Sequence, residues 1–228
     1  MTTLRLLADN ARWIAVDKPA GIAAIPAREE DPEASLRHRL QAELGVPLWV
    51  VHRIDRDTSG VMLFARDAEA HRALNLAFQR AQVGKTYLAW CAGKPPAEHG
   101  RIDVALHSAR KSKMRPAAAG EPGALPACTD YALEQYWPAA EISRIRCHPR
   151  TGRQHQIRVH LRSLGCPILR DGYYGLSTFK PPYQDLPLTR LALHAASIEV
   201  PRVLDVPAQR VEAPLAADLI ALQAALNG

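Results

Sequence analysis

The chain has 228 residues, 47% of them hydrophobic and 23% charged, with a net charge of +6; that is the composition of an ordinary globular protein long enough to bury a core, and no apolar run approaches the 18 residues that would read as membrane-spanning. The opening stretch MTTLRLLADNARW lacks an apolar core followed by a cleavage site, so no secretory signal is expected and the cytoplasm is the expected location. Cys91, Cys128, Cys147 and Cys166 lie far apart and form no C-x-x-C pair, which argues against a zinc or redox site and for free thiols in a reducing compartment.

Short strands are predicted around Leu4–Leu7 and Trp13–Val16, broken at DKPAG by Pro19 and Gly21. Asp31 before Pro32 predicts a helix start; Leu36, Leu40 and Leu44 continue at helical spacing and Gly45 ends it. LWVV and VMLFA read as strands around the polar insert HRIDRDTSG. Asp67 caps a predicted helix through about Gln82, with Leu74 and Phe78 inward, and KTYLAWCAG reads as a further strand. After the GKPPAEHG loop and RIDVAL, a loop rich in Lys, Ala, Pro and Gly is expected to about Ala127, then the strands CTDYALEQYW and EISRIRC. In TGRQHQIRVHLRSLG, Thr151 and Gln154 match a T-x-x-Q capping box, Ile157, Leu161 and Leu164 form a stripe, and Gly165 with Pro167 stops the helix. LALHAASIEV reads as a strand, and Leu215, Leu219, Leu222 and Leu226 as a last helix. Strands outnumber helices and rarely alternate with them singly, so the expected class is α+β: a mixed, mostly antiparallel sheet with flanking helices. No linker divides the chain, and residues 1–228 read as a single domain.

The positive charge is unevenly placed. Residues 142–170 hold seven arginines and no acid, and Arg110, Lys111, Lys113 and Arg115 also stand without a counter-charge. Two such blocks lean toward a polyanion, most simply a nucleic-acid backbone. Within the insert, Asp57, Thr58, Ser59 and Gly60 suit a turn. Asp55 follows a buried strand directly, where a carboxylate is costly without a partner; ionised in a basic cleft, it could act as nucleophile or base. Arg153, four residues before Ile157, is placed by the capping-box reading at the head of the apolar stripe, on the unfavourable end of the helix dipole, where an anion nearby would suit it. Gln154, Arg158 and Arg162 are expected on a neighbouring face, toward solvent or phosphate.

HRIDRDTSG, KTYLAWCAG and TGRQHQIRVHL, in that order, together with DKPAGI, resemble the RluA-type RNA pseudouridine synthases from about Trp13 to His194. The resemblance implies the pseudouridine synthase fold and an isomerase that detaches uracil from ribose at nitrogen 1 and reattaches it at carbon 5, in ribosomal or transfer RNA, with no cofactor or metal. It implies Asp55 as the catalytic aspartate, Tyr87 as the aromatic that stacks on the target base, Arg153 as the basic partner of Asp55, and Arg53 as the arginine that helps extrude the nucleotide. Charge suggests Arg56, Lys85, Arg150, Arg158, Lys111, Lys113 and the rest of that block as RNA contacts. The family usually has Leu where this chain has Ile54, a volume-conserving change, and often Gly-Asp where it has Arg170-Asp171, which should alter the local turn. With Met1 leading almost directly into the catalytic motifs, no separate N-terminal RNA-binding domain is expected, and a monomer is.

Three rival readings have weaker support. DRDT after an apolar strand also fits the D-x-D-x-T loop of haloacid-dehalogenase-type phosphatases, with Asp55 phosphorylated and magnesium bound, but that fold needs alternating βα units and a late acidic pair. His155 and His160 are five apart and so point to different faces of a helix, unlike a metal pair at four. A non-catalytic RNA-binding module would use the basic blocks but has no need of Asp55 or Tyr87.

Overall fold

A computed structural model describes residues 4–26, 31–110 and 113–228. In chain order the elements are β1 (Leu6–Asp9), β2 (Trp13–Lys18), α1 (Leu36–Leu44), β3 (Trp49–Val50), β4 (Ser59–Ala65), α2 (Ala68–Gln79), β5 (Gly84–Ala92), β6 (His99–Asp103), β7 (Leu106–Ala109), β8 (Lys113–Pro116), β9 (Cys128–Trp137), β10 (Ile142–Pro149), α3 (Gln156–Ser163), β11 (Leu193–Val200), β12 (Gln209–Glu212) and α4 (Ala217–Asn227). The fold is α+β, as expected. The chain forms two compact units, Met1–Lys85 with His194–Ala216, and Thr86–Leu193 with Ala217–Gly228. Among the described residues no helix is long and apolar enough to cross a membrane.

In the first unit β2 lies antiparallel between β1 and β4, β11 joins β4 in parallel, β12 pairs antiparallel with β11, and β3 pairs with the far end of β4. Both faces of this sheet are covered, which is why VMLFA is a continuous apolar run rather than an alternating one. Trp13, Ala15, Val61, Leu63 and Ala65 pack with Ala70, Leu74 and Ala77 of α2. Ile14, Val16, Met62 and Phe64 pack on the other side with Leu36 and Leu40 of α1. The helix caps differ slightly from the sequence reading. Asp31 caps a separate short turn at Pro32–Ala34, and Ser35 caps α1, accepting a hydrogen bond from the His38 amide. Gly45 closes α1 in the left-handed region and Asp67 caps α2 as predicted.

The second unit holds the antiparallel run β5–β10–β9–β6. Part of the stretch expected to be a loop up to Ala127 instead forms the hairpin β7–β8, which closes a small core: Leu106 and Met114 pack with Ala127, Val159 and Tyr174.

Helix α3 starts later than predicted, and Thr151 is not its N-cap. Its N-cap is His155, with φ +53 and no side-chain cap. Thr151 instead accepts the Cys128 amide and donates to Gln156 Oε1 at 2.6 Å. The T-x-x-Q spacing misplaced the start of the helix: it begins at Gln156, whose side chain bonds Thr151. Arg153 therefore lies in the loop before the helix and is exposed rather than heading the apolar stripe.

Candidate functional site

Asp55 sits half-exposed at the first position of a turn closed by the Thr58 amide donating to its carbonyl at 3.1 Å. Several groups of the first unit hold this turn. Lys18, at the end of β2 and 0% exposed, donates through Nζ to the carbonyls of Arg56 at 2.7 Å and Pro19 at 2.8 Å. The Gly21 amide donates to the same Arg56 carbonyl at 3.0 Å. Ile54 is buried and anchors the other side. The DKPAG segment is therefore a clamp on the Asp55 turn. A buried lysine needs oxygens around its ammonium, and here one backbone carbonyl of the turn, Arg56, and one of DKPAG, Pro19, supply two of them.

His52, three residues before Asp55, ties the insert to the sheet. Its Nε2 accepts the Leu63 amide at 2.9 Å, and its ring stacks on Phe78 at 4.9 Å. Burial, with a contribution from the charge of Lys85, lowers its pKa to about 3. The ring stays neutral, as an acceptor nitrogen requires. Gly60, at φ +110 in β4, lets β11 approach: a Cβ there would lie 2.1 Å from the Ala195 carbonyl oxygen. Arg53 and Arg56 are exposed beside the turn, and Lys85 is half-buried at the start of β5, where burial lowers its pKa to about 8.

In the second unit Tyr87 is half-buried on β5, opposite Cys147 of β10. Arg153 is held through both backbone and side chain: its amide donates to Gln156 Oε1 at 3.0 Å, and its guanidinium Nε to the Pro126 carbonyl at 3.0 Å. Gln156 is the residue that sequence reasoning missed. It is buried, and its Nε2 donates to the Cys128 carbonyl and to Thr129 Oγ1. The network continues from Thr129 to His160 Nδ1 at 2.9 Å and from His160 Nε2 to the Val104 carbonyl at 2.9 Å. Gln156 thus fixes the loop carrying Arg153 to strand β9. The one available signal was an amide at the head of the apolar stripe, where a buried polar group needs several partners. His160 is absorbed by this packing, and among the described residues no group of three or more His, Cys, Asp or Glu is placed to hold a metal ion.

Arg158 is a correction. It does not lie on a face open to solvent or phosphate: it is 8% exposed and grips Asp171 through Nε and Nη2, both at 2.8 Å. Burial alone would raise the Asp171 carboxyl, but these bonds and the amides of Tyr173 and Tyr174 outweigh it and hold the carboxyl below its usual range. Arg150 is exposed and donates to Asp130 at 2.6 Å. Lys113 is half-buried on β8, and Lys111 lies outside the described residues. Arg170 adopts φ +57, in the left-handed region. Its side chain offsets that strain by donating to the carbonyls of Leu188 at 2.8 Å and Gln184 at 2.6 Å, while its amide bonds Thr178 Oγ1 at 2.8 Å.

Comparison with known proteins gives a consistent answer. Residues 12–163, a span with parts in both units, match the family model described as RNA pseudouridylate synthase. An uncharacterized RNA pseudouridine synthase of Zymomonas mobilis is 35% identical over 92% of this chain and 93% of its own length. The dual-specificity RNA pseudouridine synthase RluA of Vibrio vulnificus is 35% identical over 85% of this chain and 76% of its own. The chain spans 63% and 65% of two longer relatives, from Chloroflexus aurantiacus and Nitrosomonas europaea, the second named ribosomal large subunit pseudouridine synthase D. In fold it is similar to human RNA pseudouridylate synthase domain containing 4, with a TM-score of 0.79 at 23% identity over 98% of this chain and 93% of that one.

Proposed function

The chain belongs to the RNA pseudouridylate synthase family, isomerases acting on RNA, and is of the RluA type; on that premise we propose that it converts specific uridines of ribosomal or transfer RNA to pseudouridine, with Asp55 as the catalytic residue. In that reaction the bond from ribose to uracil nitrogen 1 breaks, a bond from ribose to carbon 5 forms, the carbon 5 hydrogen leaves as a proton, and nitrogen 1 takes up a proton. Tyr87 is the ring that holds the uracil while it turns, and Arg153 supplies the positive charge that the Asp55 carboxylate works with. Arg53 helps the nucleotide out of its stack, and Arg56, Lys85, Arg150, Lys111 and Lys113 contact RNA. The substrate class rests on the motifs and on a relative named for the large ribosomal subunit. The two units together act as one catalytic domain, working in the cytoplasm as a monomer.

The observation that carries the reading is the Asp55 turn itself. A half-exposed carboxylate is held on a short turn by a buried lysine and a glycine amide, within the ordered motifs of the family match. Such rigid placement is what a reacting group needs. Asp55→Asn removes charge and little shape, so it should abolish tritium release from RNA labelled at uracil carbon 5 while RNA binding persists. Undiminished release by that variant removes Asp55 from the mechanism.

A further inference from the structure

In the second unit, Tyr173 keeps 44% of its surface open. Exposure alone is unremarkable; the frame that holds this ring is not. Asp171 Oδ1 accepts the amides of Tyr173 at 2.9 Å and Tyr174 at 3.0 Å, and Asp171 is itself locked by Arg158. The Tyr174 hydroxyl accepts the Met114 amide at 2.8 Å and is hydrogen-bonded to His155 Nδ1 at 2.8 Å. It therefore ties the hairpin, the Asp171 turn and the loop after Arg153 into one piece. The Tyr173 ring lies 5.6 Å from the ring of His155 and edge-on to Tyr174 at 6.1 Å.

Two cations face that ring. Arg158 Cζ is 5.3 Å from its centroid and cannot leave, being bound to Asp171. Lys113 Nζ is 5.0 Å from it and, among the described residues, has no carboxylate partner. A rigid, 44% exposed ring with over it a lysine that no carboxylate among the described residues locks in place combines the two elements by which proteins hold single-stranded nucleic acid: stacking for a base and positive charge for its backbone. His155 is two residues after Arg153, so this ring borders the loop that carries the proposed basic partner.

We propose that Tyr173 is a stacking platform for an unpaired nucleotide flanking the uridine that reacts, with Lys113 holding the phosphate of that nucleotide. The proposal rests on the RNA-isomerase reading. Stacking uses the face that every base has, so the platform contributes affinity and not base identity.

The full chain, wild type, Tyr173→Leu and Tyr173→Phe, is assayed two ways. One is KM and kcat for tritium release from carbon-5-labelled RNA of cells lacking the protein. The other is fluorescence titration with a single-stranded RNA 12-mer carrying 2-aminopurine. Leucine keeps apolar bulk, and thermal melts check that all three proteins fold alike. Tyr173→Leu should raise KM and the 12-mer Kd by roughly five- to hundredfold, and Tyr173→Phe should restore both. Equal values for Tyr173→Leu and wild type overturn the platform. A Phe variant as weak as the Leu variant also overturns it, because the hydroxyl and not the ring face would then be the contact. If wild-type protein releases no tritium from any RNA, the isomerase reading fails, while the 12-mer titration still decides for or against the platform.

Discussion

Lys85 carries its charge where burial works against it: its pKa falls to about 8 through desolvation. A lysine whose folded pKa is lowered binds its proton below pH 8 and sheds it above, whereas the unfolded chain keeps it to about 10.5. If Lys85 grips a phosphate, that grip is present at pH 7 and lost by pH 9. RNA affinity should therefore drop several-fold across this interval, and Lys85→Arg, charged throughout, should hold it level. Anisotropy titrations at fixed ionic strength measure this; identical pH profiles for the two proteins exclude Lys85 as a contact. The neighbouring His52 is a structural residue by contrast. Its neutral ring accepts the Leu63 amide, and both Lys85 and the sheet around it keep it from protonating. Position in a motif does not by itself separate a residue that acts from one that holds; Lys18 and His52 flank the same turn as Asp55 and both hold it.

At the scale of elements, β4 and β11 meet closely because residue 60 has no side chain. Gly60→Ala would place a Cβ 2.1 Å from the Ala195 carbonyl at φ +110, and overpacking together with backbone strain should cost roughly 3 kcal/mol. Urea denaturation tests it against Gly172→Ala, where a Cβ meets nothing within 4 Å; equal midpoints refute the close-approach argument. Apart from β7, β8 and β12, the strands and the helices α1 and α2 were legible in the sequence because apolar period and caps agree: Asp67 before α2 and Gly45 after α1 stand where capping physics puts them. The start of α3 was not legible. T-x-x-Q is satisfied equally by a capping box and by what occurs, a loop whose threonine bonds a glutamine five residues on. The hairpin β7–β8 was hidden for another reason: its packing partners, Ala127, Val159 and Tyr174, lie far along the chain, and local composition carries no trace of them. Arg170 shows a third limit. Its left-handed backbone looks unfavourable locally, and the carbonyls that offset it, at Gln184 and Leu188, arrive 14 and 18 residues later.

Over the whole molecule the acid-free runs of the sequence overstate the cationic surface, because the net charge of +6 is already net of carboxylates that fold onto those runs. The run from 142 to 170 contains no acid, yet carboxylates from elsewhere neutralise much of it. Glu134 pairs with Arg144 and Arg146, Asp130 with Arg150, and Asp171 with Arg158. In the other block Glu121 pairs with Arg115. These pairs differ in what a phosphate could do to them. Arg150 is exposed and its bond to Asp130 is worth little, so RNA could displace it; Arg158 is sealed against Asp171 and cannot turn outward without stranding a buried charge. Counter-ion release depends on the cations that reach phosphate, not on the formal total. For a single strand each such contact adds about 0.7 to the slope of log affinity against log salt. Lys113→Ala should therefore make that slope shallower by about 0.7. Arg158→Lys should leave it within error of wild type while lowering the melting temperature, because a lysine cannot reproduce the two-bond grip on Asp171. Titrations between 50 and 200 mM salt distinguish the cases: an Arg158 variant with a shallower slope would show that its guanidinium reaches RNA after all, and an unchanged Lys113 slope would remove that residue from the phosphate path.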